Sequence, residues 1–328
     1  MKRVAALAFC CITTGLWSQE LVVHDPVAIA RDGNYYLFST GRGISWYSSK
    51  DMKHWEKEEP VFKQAPSWAS TVVPGFNNHI WAPDISYHNG MYYLYYSISS
   101  FGKNTSAIGL VTNKTLDSKA ADFKWEDQGV VIQSIPNRDL WNAIDPNLVF
   151  DKQHRPWLAF GSFWQGLKLV QLNDDLKTIA HPEKWHTIAR RKRDFKLPDT
   201  EAGNAALEAP FIYYKNGYYY LFLSWDYCCR GQESNYKIVV GRSKSITGPY
   251  FDKQGVSLFD GGGTVLLEGN ENWYGLGHNS VYAFNHKDYM FFHAYDAKDD
   301  GKPKLKILTL DWDGANWPNL SSKELNKL

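Results

Sequence analysis

The 328 residues carry 44% hydrophobic and 22% charged side chains with a formal charge of +1. This is an ordinary globular composition, which excludes a disordered chain and offers no field that would attract nucleic acid. The 14 Trp, 20 Tyr and 17 Phe suit both pleated strands and the flat faces of sugar rings.

The chain opens Met1-Lys2-Arg3, continues in a largely apolar run from Val4 to Trp17 and reaches Ser18-Gln19-Glu20. That is the charged, apolar and small-residue order of a secretory signal. Residues 1–18 are expected to be removed, leaving a secreted or periplasmic protein. No later apolar run approaches membrane-spanning length. Of four cysteines, Cys10 and Cys11 leave with the signal. Cys228 and Cys229 stay, and because adjacent Cα atoms lie about 3.8 Å apart, below the usual disulfide range, free or buried thiols are expected there.

Residues 19–328 repeat one pattern five times. A polar or acidic residue, usually beside Pro, leads through a short apolar strand and a Gly, Asn or Asp turn into an aromatic strand. In chain order these are Asp25-Pro26 to Tyr35-Tyr36-Leu37-Phe38; Trp81-Ala82-Pro83-Asp84 to Tyr92-Tyr93-Leu94-Tyr95; and Asp145-Pro146 to Trp157-Leu158-Ala159-Phe160. Glu208-Ala209-Pro210 to Tyr219-Tyr220-Leu221-Phe222 and Gly277-His278-Asn279-Ser280 to Tyr289-Met290-Phe291-Phe292 complete the set. The anchors recur roughly every 60 residues. Further strand-like runs follow within the repeats: Ile44–Tyr47, Ala107–Val111, Leu167–Val170 and Lys237–Val240. Helix-period patterns are absent after the signal and Gly and Pro punctuate the chain, which excludes a (β/α) barrel. Three to four strands per repeat predict an all-β chain folded as one five-bladed β-propeller. The basic run Arg190-Arg191-Lys192-Arg193 is read as a solvated loop.

In a propeller the innermost strands converge on a central channel, so Asp25, Trp81, Asp145, Glu208 and His278 are expected to face one mouth. Purely structural repeats would match there; these share strands and differ in chemistry. A lone Asp-Pro is ordinarily a turn or strand start, but three acids at matched positions point to a site. Glycoside hydrolysis needs one carboxylic acid to protonate the leaving oxygen and a carboxylate to activate water or attack the sugar. A third can orient the acid and raise its pKa.

His24-Asp25-Pro26, Trp81-Ala82-Pro83-Asp84, Ala143-Ile144-Asp145-Pro146 and Glu208-Ala209-Pro210 resemble the blade motifs of family 43 glycoside hydrolases. The resemblance covers nearly the whole mature chain. Phe38–Ile44, Ser106–Leu110, Ser224–Gly231 and Gly277–Ser280 look closest to that family's endo-acting α-1,5-L-arabinanases; Leu276 stands where the pattern has Pro. The resemblance implies inverting hydrolysis of arabinan or arabino-oligosaccharide by a monomer, with Asp25 as general base, Glu208 as general acid and Asp145 orienting the acid. It also implies sugar contacts at Trp81 and Phe101, with His24 beside the base, and a central metal, often calcium, near His278. Trp164 is a further cleft-wall residue on this reading, and core packing is the alternative for Trp81 and Phe101. The competing functions are an exo-acting arabinofuranosidase or β-xylosidase on the same scaffold, a retaining invertase-like enzyme, and a noncatalytic sugar-binding propeller.

Overall fold

A computed structural model describes residues 19–328; the expected signal segment 1–18 lies outside the described residues. The strands form five antiparallel sheets arranged in chain order. The first blade comprises Val27–Arg31, Asn34–Ser39, Ser45–Ser49 and Glu56–Lys57. The second runs through His79–His88, Met91–Ile98, Ser106–Asn113 and Glu126–Ser134, with Gly41–Arg42 added at its inner edge. The third holds Asn147–Phe150, Pro156–Phe160, Leu167–Gln171 and Trp185–Ala189. The fourth holds Leu207–Lys215, Tyr218–Trp225, Lys237–Ser243 and Thr264–Leu267. The last contains Trp273–Phe284, Lys287–Asp296, Lys302–Trp312 and Pro318–Asn319. All four secondary strand-like runs read from the sequence fall on the third strands of their blades, to within a residue.

The aromatic second strands do not alternate between apolar and polar because each sheet packs on a neighbour at both faces. All of Pro156–Phe160 is buried, for example. Five apolar clusters result, one for each junction between successive blades, and the one joining Leu21, Val23, Leu37 and Tyr47 to Phe284 and Phe291 closes the ring. Backbone pairing seals the same junction: the Val23 N–H donates to the Pro303 carbonyl at 3.2 Å and the Leu305 N–H to the Leu21 carbonyl at 2.8 Å. The N-terminal segment thus pairs with the third strand of the last blade through an isolated antiparallel bridge between Val22 and Lys304, tying the two ends of the ring together. No helix among the described residues is long and apolar enough to cross a membrane.

Each inner strand bends through a left-handed residue, just before the strand at Asp25 and Asp145 and within it, at a break in the pairing register, at Ala82, Ala209 and His278, with φ between 44° and 58°. Side chains with a Cβ adopt this conformation at a cost, so five recurrences imply a supporting bond. Each of these residues donates its backbone N–H to a side chain of the preceding blade: His293 Nδ1, Thr40 Oγ1, Ser97 Oγ, Asp145 Oδ2 and Ser224 Oγ respectively. This corrects the alignment of the repeats. Trp81 and Glu208 stand one residue before the bend, matching His24, Ile144 and Gly277, whereas Asp25, Asp145 and His278 occupy the bend itself. Asp84, two residues after the bend in the second blade, has a structural place. It is buried and accepts the Leu148 N–H at 2.7 Å, tying the second blade to the third, and burial pushes its pKa up to about 7.

Candidate active site

Asp25 is buried beneath a cage drawn from the first and fifth blades. Its Oδ1 faces Nδ1 of His24 at 2.7 Å and Nδ1 of His278 at 3.0 Å, and its Oδ2 accepts the Thr40 hydroxyl. Burial by itself would raise its pKa. The imidazoles of His24 and His278 outweigh that and hold the carboxyl well below its ordinary value. Burial likewise opposes charge on His278, yet Asp25, then Asp145 and Glu208, push its pKa up to about 9. His293 behaves oppositely: burial and the nearby His24 hold it well below the usual imidazole value. Its Nδ1 accepts the Asp25 N–H, so its one proton sits on Nε2, which is buried without a partner.

Glu208 enters from the fourth blade, and the Ser162 hydroxyl of the third blade donates to its Oε2 at 2.6 Å. Burial raises its pKa; Ser162 and His278 oppose the rise, and the charge on Asp25 adds to it. Asp145 is raised well above its ordinary value, first by burial and then by Glu208 and Asp25 against the pull of His278. Its Oδ2 accepts the N–H of Ala209 at 3.1 Å, so it grips the peptide that follows Glu208. One mouth therefore holds an ionised carboxylate and two that retain protons into milder pH, the separation of states that acid–base chemistry requires.

The rim departs from expectation in places. Trp81 is half-buried, its indole N–H donating to His79 Nδ1 at 3.1 Å. Phe101 is 79% exposed, which removes core packing as its role. Trp164 is not a cleft wall: only 1% of it is exposed and its indole N–H donates to the Asp199 carbonyl at 2.8 Å. Consecutive left-handed residues at Phe163 and Trp164 turn the loop so that half-buried Phe163 takes the outer place, 5.8 Å from Tyr227. The basic run is more than a solvated loop. Arg190 lies over Phe259, Arg191 pairs with Asp226 at 2.7 Å, and Arg193 donates to the carbonyls of Leu197, Pro198 and Glu201. These bonds fasten the connection into the fourth blade. The expectation of free thiols is overturned as well: Cys228 and Cys229 form a disulfide. The left-handed turn at Cys229, φ 67°, brings the two sulfurs together although the Cα atoms are only 3.8 Å apart.

His24, Asp25 and His293 place donor atoms within 4.8 Å of one another and make a buried set able to coordinate a metal ion. Two imidazoles with one carboxylate suit a borderline ion better than calcium, which takes six to eight oxygens. His278 lies outside that set. His24 also approaches both cysteine sulfurs, but oxidised as a disulfide they are not thiolate ligands. Thr40, Ser162, His293 and Tyr295 escaped the sequence reading. Thr40 sits inside a motif singled out for another reason and Ser162 two residues before Trp164, whereas His293 and Tyr295 lie in the aromatic strand of the fifth repeat, where nothing in the pattern distinguishes them from core residues.

The profile of glycosyl hydrolases family 43 matches residues 19–318. An extracellular exo-α-(1→5)-L-arabinofuranosidase of Cellvibrio japonicus is 52% identical, the match covering 98% of this chain and 93% of that one. An extracellular endo-α-(1→5)-L-arabinanase of Bacillus subtilis is 46% identical over 92% of this chain and 88% of its own length. Among solved structures, the α-L-arabinanase of Cellvibrio cellulosa complexed with arabinohexaose superposes with a TM-score of 0.92 at 53% identity, covering 94% of this chain and 98% of that one.

Proposed function

Since the chain belongs to glycosyl hydrolases family 43, we propose that it hydrolyses α-1,5-linked L-arabinofuranosyl chains internally, with inversion, using Asp25 as general base and Glu208 as general acid. The observation that carries this is the opposed ionisation of two carboxyls in one mouth: Asp25 held ionised by His24 and His278, and Glu208 kept protonated longer by burial. The relatives named for action on arabinan supply the substrate, and their extracellular character supports a secreted or periplasmic site of action.

The hydrogen bonds divide the labour. Ser162 donates to Oε2 of Glu208, which leaves Oε1 to carry the proton given to the leaving oxygen as the glycosidic C–O bond breaks. Both imidazoles engage Oδ1 of Asp25 while Oδ2 meets only the Thr40 hydroxyl. A free lone pair on Oδ2 can therefore take the proton of a water as its oxygen bonds to the anomeric carbon from the opposite face. Asp145 positions the acid through the Ala209 peptide and, by its own charge when ionised, raises the acid's pKa. A calcium ion beside His278, as the resemblance implies, would find Nε2 of that imidazole as its protein ligand, since Nδ1 lies on Asp25, and because calcium takes six to eight ligands, mostly oxygen, water would have to supply the rest.

Trp81 and Phe101 supply flat faces for sugar rings. Phe101 has almost no packing to lose, so Phe101→Ala should leave the melting temperature unchanged while raising KM for arabino-oligosaccharides about fivefold, the effect of one lost stacking contact. An unchanged KM would remove Phe101 from the binding surface.

Chain-end cleavage is the second reading, favoured by the 52% identity to an exo-acting relative. Chromatography of products from linear arabinan over time separates the two. Internal cleavage gives a spread of oligosaccharides from the first minutes with a steep fall in viscosity, whereas one product of fixed length at every time point would establish exo action. Parallel incubation with xylan tests the β-xylosidase alternative.

A further inference from the structure

The disulfide and Tyr295 take no part in the mechanism above, yet both reach its base. Tyr295, on the second strand of the fifth blade, is largely buried and bonds Nε2 of His24 at 2.7 Å. The opposite ring nitrogen, Nδ1, lies 2.7 Å from Oδ1 of Asp25. The same phenolic oxygen accepts the backbone N–H of Cys229 at 2.8 Å, and the Cys229 sulfur lies 3.9 Å from His24 Nε2. A buried imidazole, His293, stacks on His24 with ring centroids 3.8 Å apart and blocks its other face. The result is one unbroken chain of contacts from an exposed loop of the fourth blade, through the fifth, to a carboxylate of the first.

We propose that Tyr295 is a positioning residue for Asp25, acting through His24, and that the Cys228–Cys229 disulfide is the clamp that holds Tyr295 in register. The inference rests on Asp25 being the general base. An imidazole with one nitrogen on a carboxylate is free to rotate unless the other nitrogen is also held, and a carboxylate displaced by a fraction of an ångström no longer meets the attacking water in line. Tyr295 supplies the second hold. Its own oxygen is fixed in turn by the Cys229 N–H, whose direction depends on the left-handed turn at Cys229, a conformation that an unconstrained residue with a Cβ seldom keeps. The ring formed by adjacent bridged cysteines removes the freedom to leave it. Because Cys229 is exposed at the rim, a reductant can reach the bond without unfolding the propeller.

The test compares wild type, Tyr295→Phe, the Cys228→Ser/Cys229→Ser double variant and the combined triple variant, using arabinohexaose as substrate. Tyr295→Phe keeps the ring and its packing and loses only the hydroxyl. It should lower kcat about tenfold with KM within about twofold, since misalignment of the base acts on the chemical step. The double serine variant should lower kcat in the same sense by a smaller factor, and the triple variant should be no slower than Tyr295→Phe alone, as expected when two changes break one chain. Wild type treated with dithiothreitol should fall to the rate of the serine variant and recover on reoxidation, which gives a readout even if a cysteine variant folds poorly. An unchanged kcat in Tyr295→Phe, a loss confined to KM, or losses that multiply in the triple variant would each overturn the proposal. Asp25→Asn is run alongside: if it stays active the base assignment fails, whereas an inactive Asp25→Asn with a fully active Tyr295→Phe rejects only the positioning role.

Discussion

Asp25→Asn should fold into the same propeller and lose about a thousandfold in turnover on arabinan, the scale of a removed general base. An amide is close in shape to the carboxylate and still accepts the Thr40 hydroxyl through its oxygen, but it cannot take a proton from water. The substitution also leaves His278 without the charge that most strongly raises its pKa, and this has a thermal signature whose sign can be worked out. Asp25 has a depressed folded pKa, so its contribution to stability is present above the unfolded carboxyl value of about 4 and is lost as pH falls through the folded value. His278 has a raised one, so its contribution is complete below the unfolded imidazole value of about 6.5 and is lost as pH rises toward 9. The difference in melting temperature between wild type and Asp25→Asn should therefore be greatest between about pH 4 and 6.5 and shrink on both sides. Calorimetry across that range, with initial rates on linear arabinan, checks both statements. A folded variant with half or more of normal turnover would sink the base assignment, and a pH-independent difference in melting temperature would sink the ion pair.

The propeller was legible because its period is long and its blades are alike. Five aromatic strands, each buried on both faces by neighbouring blades, leave a hydrophobic signature that local propensity alone could not produce. The carboxylates were legible for the opposite reason: Asp25, Asp145 and Glu208 break the likeness of the repeats where the strands begin. What sequence could not supply was the side-chain direction at single positions. Placing Glu208 one residue before the bend, or turning Trp164 inward, depends on left-handed backbone angles at Ala209 and Trp164, and neither residue type announces that conformation. The disulfide was misjudged on the same ground, since the rule against bridging neighbours fails where the chain turns back on itself at Cys229. His293 and Tyr295 were hidden because a polar residue within an aromatic strand looks like core until the closure of the ring carries it onto the first blade.

Glu208→Gln should separate substrates by their leaving groups. Departure of a sugar alkoxide requires a proton as the bond breaks, whereas a nitrophenolate leaves unaided, so the variant should slow arabinan cleavage by about a thousandfold and an aryl arabino-oligosaccharide far less. The Ser162 hydroxyl still has an amide oxygen to bond, which keeps the side chain in place and makes the change one of chemistry rather than of fold. Asp25→Asn should slow both substrates alike, because water must be activated whatever leaves. Asp145→Asn is expected to fall between them. Its amide oxygen can keep the Ala209 N–H, but removing an ionisable neighbour takes away a charge that raises the pKa of Glu208 when Asp145 is ionised. Because burial keeps a proton on Asp145 into milder pH, that charge is absent while Glu208 titrates, and the limb of the rate profile on which the acid deprotonates should stay close to its wild-type position. Direct attack by water also fixes the stereochemistry: proton NMR of the first product should show the β-anomer from the α-linked chain. Appearance of the α-anomer first would turn Asp25 from a base into a nucleophile. Equal losses on good and poor leaving groups would take the acid role from Glu208, and because Asp145 bonds the very next peptide, it would then be the carboxyl to examine.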